Sequence, residues 1–161
     1  MMTAQDIQML SETIKRTYTS LEQPDFSFVS KAISSRPYES LIQQMRSLFE
    51  VEELTDSNDD VSFRYLLSRS KNQWVVELSM LGRYATVLRI SEVGPIRVVT
   101  QNISVQEEQK IFSLLMENQF KVLEQQELEQ PFPIRLSNTE PENVCIYQAL
   151  FSDTDVLPWK A

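Results

Sequence analysis

Histidine is absent from this 161-residue chain, and cysteine occurs once. Histidine is the side chain that titrates near neutral pH, and it is also the commonest metal ligand in proteins. Without it, Ser-His-Asp sites, Cys-His sites and ordinary structural zinc sites cannot be built. Chemistry based on carboxylates, Lys, Tyr or Ser-Lys pairs stays open, because the sequence neither reveals nor excludes it. We therefore predict no catalytic residue and no metal site, and the sequence favours a non-enzymatic protein.

Glycine is nearly as scarce, since Gly82 and Gly94 are the only two in the chain. Loops that cradle phosphates need several glycines, because backbone N–H groups must approach the anion closely. Neither a P-loop nor a dinucleotide-binding fingerprint is present. We therefore expect no nucleotide and no other cofactor.

The single cysteine, Cys145, cannot form an intrachain disulfide, so an oxidising compartment gains no support. We expect its thiol to be buried and inert within a strand rather than nucleophilic. Residues 1–10 lack the basic and apolar regions of a signal peptide, and no apolar run approaches the ~18 residues that span a bilayer. These absences predict a cytoplasmic protein that does not bind membranes.

Acidic residues, in contrast, are in surplus. The formal net charge is −8 and the isoelectric point is about 4.6. Phosphate backbones repel such a chain, so nucleic acid is a disfavoured partner and another protein is favoured. The charge is uneven, however. Residues 61–100 hold six Lys and Arg against two Glu, a local excess of +4 that leaves −12 on the remainder.

Length and composition predict one α+β domain over residues 1–161, with the 42% hydrophobic and 24% charged content of an ordinary globular protein. Apolar side chains at three- and four-residue steps predict helices over residues 4–21, 37–50 and 105–118. Ser104 and Glu107 form an S-x-x-E capping box that opens the third helix. Residues 25–34 are either a short helix or an ordered loop.

The pattern changes to period two after residues 50–60, where six Asp and Glu predict a solvated loop. Four alternating segments with short connections predict an antiparallel meander, and a last apolar run predicts a fifth strand. The predicted strands cover residues 61–69, 73–81, 84–90, 96–100 and 144–151. We therefore predict an antiparallel sheet of four to five strands, packed against the N-terminal helices and one long helix between strands four and five.

Apolar side chains occur on both sides of these strands. Leu66, Val75 and Val87, for example, alternate out of phase with the main apolar stripes. Either the sheet is partly covered on both faces, or one face is the binding surface of a partner.

Two acidic clusters invite comparison with metal sites. Residues 56–60 alternate oxygen-bearing side chains as at the start of an EF-hand loop, but Val61 and Leu67 stand where a glycine and a bidentate Glu are required. Asp153 and Asp155 form a D-x-D pair, a pattern too short to be specific. We expect both clusters to be solvated surface rather than metal ligands.

The basic residues of the meander are the first candidates for partner binding: Arg64, Arg83, Arg89 and Arg97. Alternation predicts that Tyr65, Trp74 and Tyr84 lie in the core, on the opposite face from the arginines. Two interpretations stay open. In the first, Glu77 pairs across strands with Arg64 or Arg89, and each such pair stabilises the sheet by roughly 0.2–1 kcal/mol. In the second, the arginines present a positive face to an acidic partner segment.

The apolar C-terminus is the second candidate, with Leu157 and Trp159 as predicted partner-binding residues. Such side chains are costly to expose, and Trp is enriched at interface hot spots. The tail docks either on the chain's own sheet or on a partner. The narrow apolar stripe of the first helix likewise suits its own core or the seam of a homodimer.

These features predict a protein-interaction module of adaptor, chaperone or inhibitor type. The order of helix, antiparallel strands and helix in a small acidic chain is similar to type III secretion chaperone-like folds and to the small acidic immunity proteins that neutralise toxins. The alternative is a small-molecule-binding protein or carboxylate-dependent enzyme with a site between helices and sheet. Its signature would be a carboxyl group whose pKa is raised in an apolar pocket.

Overall fold

A six-stranded sheet forms the centre of the computed structural model, which describes residues 2–102 and 105–161. Five strands lie side by side in chain order with antiparallel pairing, and the sixth pairs parallel with the fourth. The strands are β1 (Glu50–Glu53), β2 (Ser62–Arg69), β3 (Asn72–Ser79), β4 (Tyr84–Ile90), β5 (Arg97–Val98) and β6 (Lys121–Val122).

Helices flank the sheet, which confirms the predicted α+β class. The α-helices are α1 (Ala4–Tyr18), α2 (Ser27–Ser35), α3 (Glu39–Arg46), α4 (Gln106–Glu117), α5 (Gln125–Leu128) and α6 (Ile146–Leu150). Two short 3-10 helices cover Pro141–Asn143 and Pro158–Lys160. No helix in the described part of the chain is both long enough and apolar enough to cross a membrane.

Both faces of the sheet are covered, by different layers. On one face, Val75 and Leu88 join the apolar cluster of α1, α2 and the C-terminal segment. On the other face, Val76 and Val87 join the cluster of α3 and α4. Because side chains alternate along a strand, a sheet that packs between two layers needs apolar residues on both of its faces. Of the out-of-phase apolar residues, Leu66 and Val75 pack against the cluster of α1, α2 and the C-terminal segment, and Val87 against the cluster of α3 and α4.

The predicted fifth strand over residues 144–151 is wrong, because this segment contains α6. Cys145 precedes the helix in extended conformation, and Gln148 Oε1 accepts a hydrogen bond from its backbone N at 2.8 Å. Every residue of α6 is buried. A short apolar run without polar alternation is compatible with a buried helix as well as a buried strand, so periodicity alone could not separate them.

The prediction of a purely antiparallel sheet of four to five strands is also wrong. Residues expected to form a solvated acidic loop form β1 instead, with Val51 half-buried and the three glutamates exposed. β1 lies at the edge of the sheet, where charged side chains are common because they discourage further pairing. The parallel partner β6 follows α4 and pairs with Tyr84 and Ala85.

The other predicted boundaries differ by smaller amounts. α1 ends at Tyr18, before Thr19 with its positive φ of 67°. The helix predicted over residues 37–50 is shortened to α3 by the chain reversal into β1, and the segment left open at residues 25–34 is largely α2. Ser104 of the predicted capping box lies outside the described residues. Glu108, rather than Glu107, accepts the capping bond, from Val105 N at 2.9 Å.

Candidate functional site

The four candidate arginines do not share one face of the sheet. Arg64 stands opposite Glu77, on the face covered by α1 and the C-terminal segment. Arg89 and Arg97 stand opposite each other on the face that α3 and α4 cover. Arg83 lies in the connection between β3 and β4. These arginines therefore do not form a single positive sheet face.

Arg64 neutralises a buried carboxylate. Its Nε lies 2.9 Å from Glu77 Oε1, and Tyr147 of α6 donates its hydroxyl to the same oxygen at 2.9 Å. The predicted cross-strand pair of Glu77 with Arg64 is thus confirmed. Burial raises the pKa of Glu77 to about 7, although Arg64 and Tyr147 favour the ionised form. The Arg64 guanidinium is therefore engaged with the core of the protein.

Arg89 makes a two-point ion pair with Glu108 at the start of α4. Arg89 Nε and Nη2 each lie 2.6 Å from a Glu108 oxygen, and Trp74 Nε1 donates to the same carboxylate at 2.8 Å. Burial opposes ionisation, but these hydrogen bonds hold the pKa of Glu108 below its usual value. Trp74 lies in the core as predicted, and on the opposite face from Arg64, but it stands directly opposite Arg89 in the sheet, so its predicted separation from Arg89 is wrong.

Arg83 joins the β3–β4 connection to the α3–α4 layer. Its Nη1 donates to Asn118 O at 2.8 Å, and its guanidinium carbon lies 5.6 Å from the Tyr38 ring centre and 5.5 Å from that of Phe120. Such cation–π contacts contribute roughly 0.5–1 kcal/mol at exposed sites. Arg97, in contrast, is exposed on β5, and no ion pair involves it in the described ranges.

The C-terminal tail packs on the chain's own core. Trp159 is 8% exposed, donates its Nε1 to Glu129 Oε1 at 2.8 Å, and meets the Tyr147 ring edge-on at 5.0 Å between centres. Leu157 is half-buried against the same cluster, whereas Val156 is 55% exposed. The partner-binding role predicted for Leu157 and Trp159 stays a prediction, and both residues have packing partners of their own.

The two acidic clusters of the sequence meet in the fold. Asp153 N donates to Asp59 O at 2.9 Å, and Asn138 donates to the carboxylates of both Asp59 and Asp153. They border an open cleft of about 400 Å³ with Arg64 and Tyr147 among its lining. Among the residues described, no group of three or more Asp, Glu, Cys or His is arranged to hold a metal ion.

Cys145 is buried, and burial raises the pKa of its thiol. Its Sγ lies 2.7 Å from Gln148 Oε1. The thiol therefore has the surroundings of a packing residue, as expected, although it precedes a helix rather than lying within a strand.

Three other cations converge at one end of the sheet. Arg46 ends α3, Arg69 ends β2, and Lys71 lies in the tight turn to β3, where Ser70 and Lys71 have positive φ of 51° and 72°. They line a depression of about 550 Å³, here called the basic hollow. Its lining consists of Arg46, Leu48, Phe49, Glu50, Ser68, Arg69, Ser70 and Lys71.

The cations of the basic hollow lack carboxylate partners. In the part of the chain that the structure describes, no ion pair includes Arg46, Arg69 or Lys71. Arg46 Nη1 donates to the carbonyl of Val51 at 3.3 Å. The Arg69 guanidinium carbon lies 6.0 Å from the Phe49 ring centre. Arg69 Nη1 is buried, and no residue within the described ranges accepts a hydrogen bond from it. The hollow thus holds uncompensated positive charge on a chain of net charge −8.

A second depression of about 690 Å³ adjoins the basic hollow and shares Ser68 and Lys71 with it. We call it the adjoining hollow. The Trp74–Arg89–Glu108 cluster belongs to its lining, together with the apolar side chains of Ile90 and Val105 and the carboxylates of Glu92 and Glu107. Because Glu108 already neutralises Arg89, this hollow does not continue the positive charge of its neighbour.

Sequence reasoning counted Arg69 and Lys71 in the basic stretch but did not select them. A usable signal existed in the hairpin register, because Asn72 and Gln73, opposite Arg69 and Ser68, carry no charge. Uncompensated cations beside a turn could have been inferred from that pairing. Arg46 could not, because only the tertiary packing of α3 brings it to the same place.

Comparison with known protein families, curated proteins and solved structures finds no match to this chain.

Proposed function

We propose that this chain is a non-enzymatic protein-interaction module that binds an acidic segment of a partner protein in the basic hollow. The observation that carries the proposal is the convergence of Arg46, Arg69 and Lys71 on one depression, with no ion pair to any of them among the described residues. Hydrogen bonds between guanidinium and carboxylate groups are roughly twice as strong as neutral ones. Carboxylates of a partner would supply the counter-charge that is missing there.

The rest of the chain supports this proposal by contrast. Five other cations have carboxylate partners within 4 Å: Arg36, Arg64, Arg89, Lys121 and Lys160. The chain has acidic residues to spare, with 23 Asp and Glu against 15 Lys and Arg. Ten Lys and Arg have no such partner among the described residues, and three of these ten line this one depression.

A short acidic segment suits the hollow better than a nucleic acid does. The edge strand β1 begins at the hollow with Glu50 and continues with the exposed Glu52 and Glu53. A long polyanion that ran past the hollow would meet these carboxylates and the −12 carried outside residues 61–100. A partner segment with a few acidic side chains avoids that repulsion.

The carboxylate-dependent alternative has one observation in its favour, the raised pKa of Glu77. Glu77 is fully buried, however, and Arg64 and Tyr147, not Glu77, line the cleft beside it. A substrate in that cleft would not touch the carboxylate. The interaction module is thus the better supported function, and the lone buried cysteine is in keeping with a cytosolic location for it.

Isothermal titration with a capped hexaglutamate peptide at low ionic strength tests the proposal. We expect binding to wild type and a roughly tenfold or greater loss in the Arg69→Gln/Lys71→Gln variant, because two charge-assisted contacts of about 1 kcal/mol each are removed. The matched control is Lys15→Gln/Arg16→Gln, which removes two exposed cations from α1. Equal losses in both variants, or no binding to wild type, would show that the basic hollow is not the site.

A further inference from the structure

The two hollows share Ser68 and Lys71, and we treat them together as one groove across the end of the sheet. The basic hollow contains Glu50 of β1 and Ser68 of β2, and the adjoining hollow contains Gln73 of β3 and Ile90 of β4. These residues are successive partners in the sheet register: Glu50 pairs with Ser68, Ser68 with Gln73, and Gln73 with Ile90. The groove therefore crosses the ends of four strands in order.

The register fixes the length of the groove. Neighbouring strands lie about 4.8 Å apart, so four strands span about 14 Å, the length of about four residues of an extended peptide. An extended segment that runs along the groove from the basic hollow therefore reaches the adjoining hollow within a few residues.

The two halves of the groove differ in charge. The described lining of the basic hollow has three cations and one acid, Glu50. In the adjoining hollow, Glu92 and Glu107 form no ion pair within the described ranges, and the Glu108 carboxylate is engaged by Arg89 and Trp74. Acidic side chains of a partner are therefore attracted to one half and repelled from the other.

The adjoining hollow also presents apolar surface. Val105 is 49% exposed and Ile90 is half-buried. Both line the hollow, but Ile90 also packs against the apolar cluster of α1 and the C-terminal segment, so Val105 supplies most of the free apolar surface. This half of the groove offers apolar contact and no uncompensated cation besides Lys71, which it shares with the basic hollow.

We propose that the partner segment is extended and bipartite, with acidic residues in the basic hollow and an aliphatic residue, about three or four positions away, against Ile90 and Val105. This inference rests on the proposed function and specifies the partner's chemistry. The acidic residues supply counter-charge to Arg69 and Lys71. The aliphatic residue covers apolar surface that the chain leaves in water. Repulsion by Glu92 and Glu107 keeps the acidic end of the segment out of the adjoining hollow and therefore fixes the orientation of the segment.

Capped peptides test the inference. The first pair of peptides has the order Glu-Glu-Glu-Ser-Ser-Leu and its reverse. The second pair has the same two orders with Leu replaced by Ser. We expect Leu to strengthen binding to wild type roughly tenfold in one of the two orders, because about 60 Å² of apolar surface would be buried. Val105→Ser should abolish this gain and leave the affinity for the Ser peptides unchanged. Ser suits the position before α4, so this variant is expected to fold.

Val156→Ser is the matched control, since Val156 is similarly exposed but lies in the C-terminal tail. If the Glu-containing peptides bind and Leu adds nothing in either order, the bipartite segment is excluded while the proposed function stands. A Leu gain that survives in Val105→Ser also overturns the inference, because the apolar contact would lie elsewhere. If no acidic peptide binds, the proposed function fails and the inference fails with it.

Discussion

The guanidinium of Arg69 lies over the ring of Phe49, with 6.0 Å between the guanidinium carbon and the ring centre. Its Nη1 is buried and has no hydrogen-bond partner among the described residues. A buried donor without an acceptor costs roughly 1–3 kcal/mol. An apolar side chain of similar length would therefore stabilise this position at least as well as Arg69, and the proposed binding role accounts for the arginine.

The first prediction follows from this contact. Arg69→Met keeps the length of the side chain and its contact with Phe49 but removes the orphan donor, so the free energy of unfolding should be unchanged or higher by up to about 1 kcal/mol. Urea denaturation measures it. The same variant should bind acidic peptides more weakly. A loss of more than about 1 kcal/mol would mean that Arg69 is a structural residue.

The second prediction concerns the pH dependence of stability. The pKa of Glu77 is raised from 4.5 to about 7 in the folded protein. Between these two pH values the folded state keeps a proton on Glu77 that the unfolded state has released. The stabilising contribution is complete below the unfolded pKa and is lost as pH rises through the folded one. Since one pKa unit corresponds to about 1.4 kcal/mol, wild type should lose about 3 kcal/mol from this group.

Glu77→Gln removes that titration. The difference in unfolding free energy between the variant and wild type should therefore shift by about 3 kcal/mol in favour of the variant as pH rises from about 4 to about 8. Urea denaturation at several pH values gives this difference, and the exposed Glu117→Gln on α4 is the control. A difference that stays constant over the range would contradict the proposed environment of Glu77.

The third prediction concerns the capping carboxylate of α4. Glu108 is fully buried and bonds Arg89, Trp74 and the backbone of Val105. Glu108→Gln should lower the free energy of unfolding by about 2–4 kcal/mol. The substitution removes the charged acceptor of the Arg89–Glu108 ion pair, in which the Glu108 side chain is fully buried. The neighbouring Glu107→Gln should change stability by less than about 0.5 kcal/mol. Similar effects of both substitutions would refute the structural role of Glu108.

The fourth prediction concerns the tail. Removing residues 156–161 takes Trp159 away from Tyr147 and Glu129, and should lower stability by about 2–4 kcal/mol, in the range of large-to-small changes in a core. Val156→Ala, at an exposed position, should have little effect. If truncation leaves the melting temperature unchanged, the tail does not contribute to the core and is available to a partner.

The meander could be predicted from the sequence because period-two alternation and short turns are local properties. β2, β3 and β4 therefore begin and end within about two residues of their predicted bounds. The helix α6 could not, since a fully buried segment carries no polar face to reveal its period. β1 was not predicted because three of its four residues are glutamates, which are typical of a loop but are also tolerated in an edge strand. Pairing between Glu77 and Tyr147, 70 residues apart in sequence, depends on tertiary packing alone.

The candidate site was predictable only in its chemistry. The basic stretch at residues 61–100 indicated an uncompensated positive region, and the hollow does contain Arg69 and Lys71 from it. Three of the four predicted arginines have internal partners, because Arg64 pairs with Glu77, and Glu108 and Asn118 approach Arg89 and Arg83 from outside the meander. Alternation along a strand predicts which face of the sheet a side chain occupies, but it does not predict which residues of a distant helix contact that side chain.

Mapping of amide chemical shifts during titration with capped hexaglutamate tests the central claim most directly. The proposal predicts that the largest shifts fall on residues 46–50 and 68–74, which surround the basic hollow, and that they diminish as salt is added because charge attraction drives the binding. The shifts should also vanish in the Arg69→Gln/Lys71→Gln variant. Largest shifts around Arg97 or on α1, or the absence of any saturable shift in wild type, would contradict the claim that this hollow binds an acidic segment.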